Sequence, residues 1–326
     1  MKLEVLITMG VATTRRRRLY FWLFINSSPV SVSVFIGRTA AFSTATQQTP
    51  IPPGILGPPE PLKSLPVGHS LNAFRTIFLS NVDDDSSNPQ KVDFSIERVA
   101  NSPNIFILRN FVTLSECNQI QALAEEAGMK TAETVTKGDT SSRKNCTVAW
   151  IPSSGPDVSS IVSGLVASTV NIFLSDVVKS HPSACVENMQ ILKYGVGGEF
   201  VHHQDGDSRI LTVIYYINGV GGTWFPLADG NDGEIPKNKE RVLQLVENLE
   251  PGKHGIFLKG GSNSIEGEND NKHTVLVNKG DAVAFYNYRD EGSAHLDWTA
   301  LHCGSPTDET KWIANHWYRL NDLANY

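Results

Sequence analysis

The sequence predicts an α+β or β-sandwich domain, because apolar residues recur with helical spacing before residue 187 and short strand-like runs follow it. The runs over 209–218 and 273–288 are rich in valine, isoleucine and aromatic residues, and glycine pairs separate such runs. The chain has 326 residues, of which 40% are hydrophobic. We therefore expect a sizeable buried core in which helices come first and strands follow.

Two helices are expected in the first half. A capping-box pattern, Thr113 followed by Glu116, opens the first helix, and Gly128 can close it. The second helix is predicted over 158–177, where apolar residues form one stripe. We interpret both apolar stripes as faces that pack into the core.

The N-terminal segment, residues 1–48, has the composition of a targeting segment or membrane anchor. Four arginines at 15–18 precede an apolar stretch over 19–36, and no acidic residue lies between Glu4 and Glu60. A signal anchor would place the protein in the endoplasmic reticulum or Golgi membrane. A cleaved transit peptide would direct it to a plastid or mitochondrion instead, and both interpretations stay open.

Three further regions follow this segment. Residues 49–92 are predicted to be a linker and lead-in, because 49–65 are rich in proline and glycine. A helical and β support region is expected over 93–185, and the functional core over 186–326. Within that core, 227–271 forms a polar insertion with a short helix near 242–249.

Charge and cysteine content exclude some functions. The formal net charge is -6 and the isoelectric point is near 5.9, whereas nucleic-acid binders normally carry a basic face. We therefore expect no nucleic-acid partner. The four cysteines form no C-x-x-C pair, so neither a cysteine zinc site nor a redox motif is indicated.

His203, Asp205 and His302 are the candidate metal ligands. In a strand, side chains two residues apart project to the same side, so His203 and Asp205 can bind one ion. His302, from a distant strand, would complete a set of two histidines and one carboxylate. That set leaves positions open for oxygen and a chelating co-substrate and favours iron(II), whereas zinc prefers closed or three-histidine sites.

Lys311 lies downstream on the run that carries His302. Its ammonium could pair with the distal carboxylate of a dicarboxylate, such as 2-oxoglutarate, whose other end chelates the metal.

Five motifs occur in an order that matches one enzyme family. They are 190–195 with 203–205, 209–216, 221–226, 279–285, and 301–312. Together they resemble the prolyl 4-hydroxylase branch of the iron(II)- and 2-oxoglutarate-dependent dioxygenases, from Phe106 to Tyr318.

The resemblance implies a double-stranded β-helix, or jelly-roll, core with buttressing N-terminal helices. It implies an oxidoreductase that uses Fe(II), 2-oxoglutarate, O2 and ascorbate to hydroxylate an acceptor. Peptidyl proline is the acceptor that the resemblance favours. By motif position, Tyr194 and Thr223 would hydrogen-bond 2-oxoglutarate, Lys311 would anchor it, and Arg143 would lie near the substrate entrance.

Several alternatives stay open at this stage. The acceptor could be a non-proline side chain or a small molecule, the fold could serve as an inactive binding module, or the ligands could belong to a zinc hydrolase. Three departures from the family also stand out. The connection from Asp205 to Arg209 is short, the Gly221–Gly222 turn lacks a glutamate, and the interval from His302 to Lys311 is one residue shorter.

Overall fold

Backbone hydrogen bonds join 14 strands into one sheet in the part of the chain that the structure describes. The structure is a computed structural model. It describes residues 56–78, 89–133, 142–229, 239–261, 272–289, 295–321 and 323. All of these residues belong to the compact unit Pro50–Tyr326.

The helices and strands have the following bounds. The strands are β1 (Ser70–Phe78), β2 (Pro89–Ala100), β3 (Ile105–Arg109), β4 (Lys130–Thr131), β5 (Arg143–Ile151), β6 (Ala184–Val186), β7 (Met189–His203), β8 (Arg209–Tyr216), β9 (Thr223–Phe225), β10 (Ile256–Lys259), β11 (Thr274–Leu276), β12 (Ala282–Tyr286), β13 (His302–Gly304) and β14 (Lys311–Leu320). The helices are α1 (Leu114–Glu126), α2 (Ser160–Phe173), α3 (Asp176–Ser180) and α4 (Lys239–Val246).

The long strand β7 connects the two halves of the sheet. The strand order is β1-β2-β3-β12-β8-β14-β7-β13-β9-β10-β11, and β5 pairs with the other edge of β7. The first part of β7 pairs with β14, whereas its last residues pair with β13. The sheet therefore passes from a larger half to a smaller half along one strand, as in a jelly roll.

Alternating side chains of the central strands supply two separate cores. On β7 and β8, Ile191 and Val213 pack with helix residues Ile120 of α1 and Leu165 of α2. Their neighbours in sequence face a second core inside the roll, with Leu192, Ile214, Tyr216, Ile313 and Phe285 among its members. β8 is buried on both faces, as a strand covered on each side must be. The predicted jelly roll with buttressing helices is confirmed.

Local capping signals decide where the helices begin and end. Thr113 caps α1 with the complete predicted capping box, and Gly128 follows the end of the helix with a φ of 76°. The single helix predicted over 158–177 is wrong. Leu174 has an extended conformation that ends α2, and the Ser175 side chain accepts a hydrogen bond that starts α3.

The described part of the predicted linker and lead-in, 49–92, contains buried residues and a strand. Leu56, Leu62 and Leu65 are buried despite the many prolines around them. Residues 70–78 form β1, which pairs along its whole length with β2. The Arg75 side chain of β1 is also buried. Apolar burial and strand pairing therefore make this segment part of the folded domain.

The predicted insertion over 227–271 contains more regular structure than expected. Helix α4 begins at Lys239 and ends at Val246, earlier than the range near 242–249. β10 pairs with β9 on one side and with β11 on the other. The insertion thus contributes a strand to the smaller half of the sheet.

The predicted boundary at 185/186 also falls within one continuous sheet, because β2 and β3 join β12 and β8.

Residues 1–48 lie outside the described part of the chain, so the targeting segment or anchor stays a prediction. None of the helices in the described ranges is long and apolar enough to cross a membrane.

A buried ion pair between Arg75 and Glu116 ties β1 to α1. Arg75 Nε also donates to the Phe111 carbonyl at 2.7 Å, and Glu116 accepts the Thr113 backbone N–H at 2.8 Å. Replacing Arg75 with methionine would leave Glu116 buried without its cation. We expect the free energy of unfolding to fall by about 3–5 kcal/mol, measured by urea denaturation.

Lys91→Met is the matched control, because Lys91 pairs with Asp93 while both side chains are mostly exposed. Its expected change is within about 0.5 kcal/mol. Equal stabilities of the two variants would contradict the structural role of Arg75.

Candidate active site

Strand pairing brings the two candidate histidine ligands together. His203 ends β7 and His302 begins β13, and the two residues are directly opposite in the antiparallel register. Directly opposed residues project to the same face of a sheet. Their ring centroids are 4.2 Å apart. The two histidines are 99 positions apart in sequence, and one strand pair brings them together.

Asp205 follows β7 at the start of a tight turn. Asp207 and Ser208 both have positive φ, at 58° and 69°, which turns the chain back into β8 at Arg209. The short connection seen in the sequence is thus a compact turn that holds Asp205 beside His203.

The ligand atoms of the three side chains converge on one point. His203 Nε2 lies 3.6 Å from one Asp205 carboxylate oxygen, and His302 Nε2 lies 3.7 Å from the other. These separations exceed hydrogen-bond lengths. Two atoms that each lie about 2.1 Å from one ion can be up to about 4.2 Å apart, so the spacing fits a shared metal. The grouping of these three residues is the candidate metal cluster of the described chain.

Backbone carbonyls orient both imidazole rings. His203 Nδ1 lies 2.9 Å from the Val201 carbonyl oxygen, and His302 Nδ1 lies 3.0 Å from that of Ala300. Because a carbonyl only accepts, each Nδ1 carries the proton and donates it. The Nε2 lone pair of each ring is then directed at the shared point, as metal binding requires.

Burial determines the protonation of the ligands. It lowers the pKa of His302 to about 4, so this imidazole is neutral at physiological pH. Burial by itself would raise the pKa of Asp205, but the neighbouring histidines outweigh it and hold that pKa well below its usual range. A neutral imidazole and an ionised carboxylate are the forms that bind metal ions.

A chain of two buried side chains holds the Asp205 carboxylate. Thr212 Oγ1 donates to Asp205 Oδ2 at 2.9 Å. Asn287 Nδ2 in turn donates to Thr212 Oγ1 at 2.9 Å. Thr212 and Asn287 are both fully buried. This chain leaves the other carboxylate oxygen of Asp205 free to face an ion.

Lys311 lies directly opposite Tyr194 in the pairing of β14 with β7. Only 1% of Lys311 is exposed, and its ammonium makes one long hydrogen bond, 3.5 Å, to the Ser305 carbonyl. No carboxylate of the described residues pairs with it. Burial lowers the pKa of Lys311 to about 8. A buried ammonium without a carboxylate would be stabilised by a bound anion, which fits the distal carboxylate of 2-oxoglutarate.

Tyr194 lies beside this ammonium, and Thr223 lines the same pocket as Tyr194. The Lys311 ammonium is 4.7 Å from the Tyr194 ring centroid. Burial raises the pKa of Tyr194, so its hydroxyl remains protonated and can donate. Thr223 Oγ1 accepts a hydrogen bond from the Tyr216 hydroxyl at 3.0 Å, which leaves its own proton for an acceptor in the pocket.

An open pocket of about 360 Å³, including its mouth, joins these groups. Its lining contains five predicted site residues, namely Tyr194, His203, Asp205, Thr223 and His302. Arg143 also lines it, as expected for the entrance. Lys311 lies behind Gly222 and Gly304, since a Cβ added to either would lie 3.6 or 3.5 Å from its ammonium.

Four polar or aromatic residues are among those at this site that sequence reasoning missed. Thr212 and Asn287 hold Asp205, while Asn315 and Trp317 line the pocket. A signal was present for two of them. Asn315 and Trp317 lie four and six residues after Lys311 on one strand, so alternation places all three on the same face.

Comparison with known proteins agrees with this geometry. The family model of the 2OG-Fe(II) oxygenase superfamily matches residues 189–319, which include all six predicted site residues. Among curated proteins, "Probable prolyl 4-hydroxylase 4" of Arabidopsis thaliana is 30% identical over 255 residues, covering 72% of this chain and 72% of the relative. "Probable prolyl 4-hydroxylase 8" of the same plant is 27% identical over 243 residues, covering 70% and 72%.

Among solved structures, this chain is similar to a viral collagen prolyl hydroxylase from Paramecium Bursaria Chlorella virus-1, determined with 2-oxoglutarate. The sequence identity is 18% and the TM-score 0.42, with 68% of this chain and 98% of that chain covered. The overall structural similarity is therefore weak.

Replacing Thr212 with valine tests the support of Asp205. The variant keeps a β-branched side chain but loses the hydroxyl that orients the carboxylate. We expect the affinity for iron(II) to fall about 10- to 100-fold, measured by anaerobic titration. Thr147→Val is the control, because the Thr147 hydroxyl only approaches the Met129 sulfur, at 3.8 Å. Equal iron affinity in the Thr212 variant and the wild type would argue against this support.

Proposed function

We propose that this chain, which belongs to the prolyl 4-hydroxylase branch of the 2OG-Fe(II) oxygenase superfamily, hydroxylates proline residues of a peptide or protein acceptor. It is a 2-oxoglutarate-dependent oxidoreductase by family. The observation that carries the proposal is the convergence of His203, Asp205 and His302 beside the buried Lys311 ammonium. The prolyl acceptor is supported by the names of the relatives, which are prolyl 4-hydroxylases.

Each side chain of the site has a distinct task in this proposal. His203, Asp205 and His302 would hold iron(II) through two nitrogens and one oxygen. Lys311 would bind the distal carboxylate of 2-oxoglutarate, with Tyr194 and Thr223 donating hydrogen bonds to it. All of these side chains except His203 are buried, and charge-assisted contacts away from water are stronger than in water.

Bound iron(II) and 2-oxoglutarate would supply the oxidation, in which O2 gives one oxygen atom to succinate, formed with CO2, and the other to the acceptor C–H bond. The protein orients the co-substrate and restricts access of water. Phe225 and Phe285 pack against the His302 ring at 5.3 and 4.9 Å, and Phe200 stacks on His203 at 3.8 Å. These rings form an apolar shell on one side of the ligands. Ascorbate is proposed as the reductant that keeps the iron ferrous.

Substitution of Lys311 tests the assigned 2-oxoglutarate contact. Lys311→Met removes the ammonium that lies behind Gly222 and Gly304. We expect the KM for 2-oxoglutarate to rise at least about 30-fold. Lys193→Met is the control, because Lys193 is the exposed neighbour of Tyr194 and its ammonium lies over Trp312. An unchanged KM in the Lys311 variant would remove this residue from the 2-oxoglutarate site.

The lowered pKa of Lys311 also predicts a pH dependence. Below pH 8 the ammonium is charged and can pair with the carboxylate, and above pH 8 it progressively loses its proton. The kcat/KM for 2-oxoglutarate should therefore fall as the pH rises through about 8. The Lys311→Met variant should lack this decrease.

A direct assay tests the function itself. The purified protein is incubated with iron(II), 2-oxoglutarate, ascorbate and a proline-rich peptide, and succinate release and the mass of the peptide are measured. We expect the peptide to gain one oxygen atom on proline, with succinate formed in equal amount. His203→Ala should abolish both products. His69→Ala is the control and should not. His69 is exposed, and its Nδ1 has a similar contact to the carbonyl two residues before it.

The alternatives give different results in this assay. Succinate release stimulated only by a non-proline peptide or a small molecule would show that the prolyl acceptor is wrong. Failure to bind iron(II), without succinate release, would favour an inactive binding module. Activity that requires zinc and no 2-oxoglutarate would favour a hydrolase.

A further inference from the structure

A row of paired residues leads from the pocket to the edge of the larger half of the sheet. Trp150 of β5 pairs with Gln190 of β7, and Gln190 pairs in turn with Asn315 of β14. Residues paired in register project to the same face. Because Asn315 lines the pocket, Trp150 lies on the pocket-facing side of the sheet.

Trp150 extends the aromatic surface of the pocket outward. Its ring centroid lies 6.2 Å from that of Trp317, which lines the pocket and is 3% exposed. Trp150 itself is 47% exposed. On the edge of β5 away from β7, β4 pairs only with Thr147 and Val148, so no described strand pairs with Trp150 on that edge. One indole therefore lines the pocket, and the other lies next to it and is half exposed.

The inner ring of this pair is held in place. The Arg209 guanidinium lies 4.1 Å from the centroid of the Trp317 ring. Glu187 accepts hydrogen bonds from Arg209 at 2.6 and 2.8 Å, which anchors the guanidinium. An aromatic surface that is ordered before binding loses less conformational entropy when a ligand packs on it.

Two polar atoms of the pocket lining have no partner. Asn315 Oδ1 and Arg143 Nε are buried and have no hydrogen-bond partner. Asn315 is only 7% exposed, and both residues line the pocket. Arg143 is positioned over the Phe200 ring, at 4.1 Å. One acceptor and one donor together match a peptide group, which offers an N–H and a C=O.

We propose that Trp150 forms an outer acceptor subsite that, together with Trp317, binds a residue of the peptide outside the iron pocket. This inference rests on the proposed function and names where the acceptor chain would lie. An extended polyproline II segment fits best, because its backbone groups make no internal hydrogen bonds and its rings pack on aromatic surfaces. Arg143 and Asn315 would then hydrogen-bond its backbone.

The strand spacing gives the reach of this subsite. β5 and β14 are separated by two strand spacings, or about 10 Å. A polyproline II chain rises about 3.1 Å per residue, so about three residues cover that distance. Trp150 is therefore expected to contact a residue about three positions from the one beside Asn315. Short acceptors should not reach it.

Peptide length and substitution of Trp150 together test the subsite. The acceptors are a tripeptide with a central proline and two longer proline-rich peptides, extended by about four residues at the N-terminal or the C-terminal side. Trp150→Ala should raise the KM for one of the longer peptides about fivefold or more, while the KM for the tripeptide stays unchanged. The kcat for each peptide should stay close to the wild-type value. Trp150→Phe should retain most of the affinity. Phe74→Ala, which removes an exposed ring on β1, is the control and should not change the ratio of these KM values.

Two results would overturn the proposal while prolyl hydroxylation stands. In the first, the ratio of the KM for each longer peptide to the KM for the tripeptide is the same in Trp150→Ala as in the wild type. The other is an equal rise for short and long peptides, which would show damage to the pocket itself. Thermal melting of both Trp150 variants identifies a folding defect, and Trp150→Phe then provides the comparison. If the wild type hydroxylates none of the peptides, the proposed function fails and the subsite fails with it.

Discussion

The pairing of β7 with two different partners is the constraint on which the site depends. Its last residue lies opposite His302 of β13, while Tyr194, nearer its start, lies opposite Lys311 of β14. One strand thus positions the metal ligands and the anion-binding group at the same time. Because register fixes which side chains share a face, a shift of one residue in β7 would turn His203 away from the pocket.

Burial gives these paired residues their chemistry. On the surface, the Lys311 ammonium would be hydrated. In the roll it is buried, and within the described structure it makes one long hydrogen bond, to a carbonyl. Asp205 is buried and remains ionised because two imidazoles and the Thr212 hydroxyl face its carboxylate. The charged groups that are costly to bury therefore lie where bound ions of opposite charge can offset the cost of burial.

The same alternation connects the site to the surface on either side of it. Outward-facing residues of β7 and β8 pack with the helices, and inward-facing residues form the core of the roll and the pocket. On β5 the inward position is Trp150, which lies at the edge of the sheet and is half exposed. A row of paired residues thus runs from the pocket lining to this exposed edge of the sheet. An extended acceptor lying along that row would meet aromatic surface first and the ligands further in.

The sequence by itself determined the features that depend on local or strongly specific chemistry. The capping box of Thr113 and Glu116 predicted the start of α1, because the partners are three residues apart. The three ligands and Lys311 were identified from their residue types and motif order, and their convergence agrees with that prediction. The residues around them that support Asp205, such as Asn287, left no comparable local pattern.

Only the tertiary structure decided the features that depend on distant contacts. Residues 56–65 have a linker-like composition, yet Leu56, Leu62 and Leu65 are buried, and β1 is fixed by an ion pair between residues 41 positions apart. The accessibility of Trp150 and its approach to Trp317 likewise depend on which strands flank β5. Burial and register are properties of the assembled sheet, so composition and local spacing could not determine them.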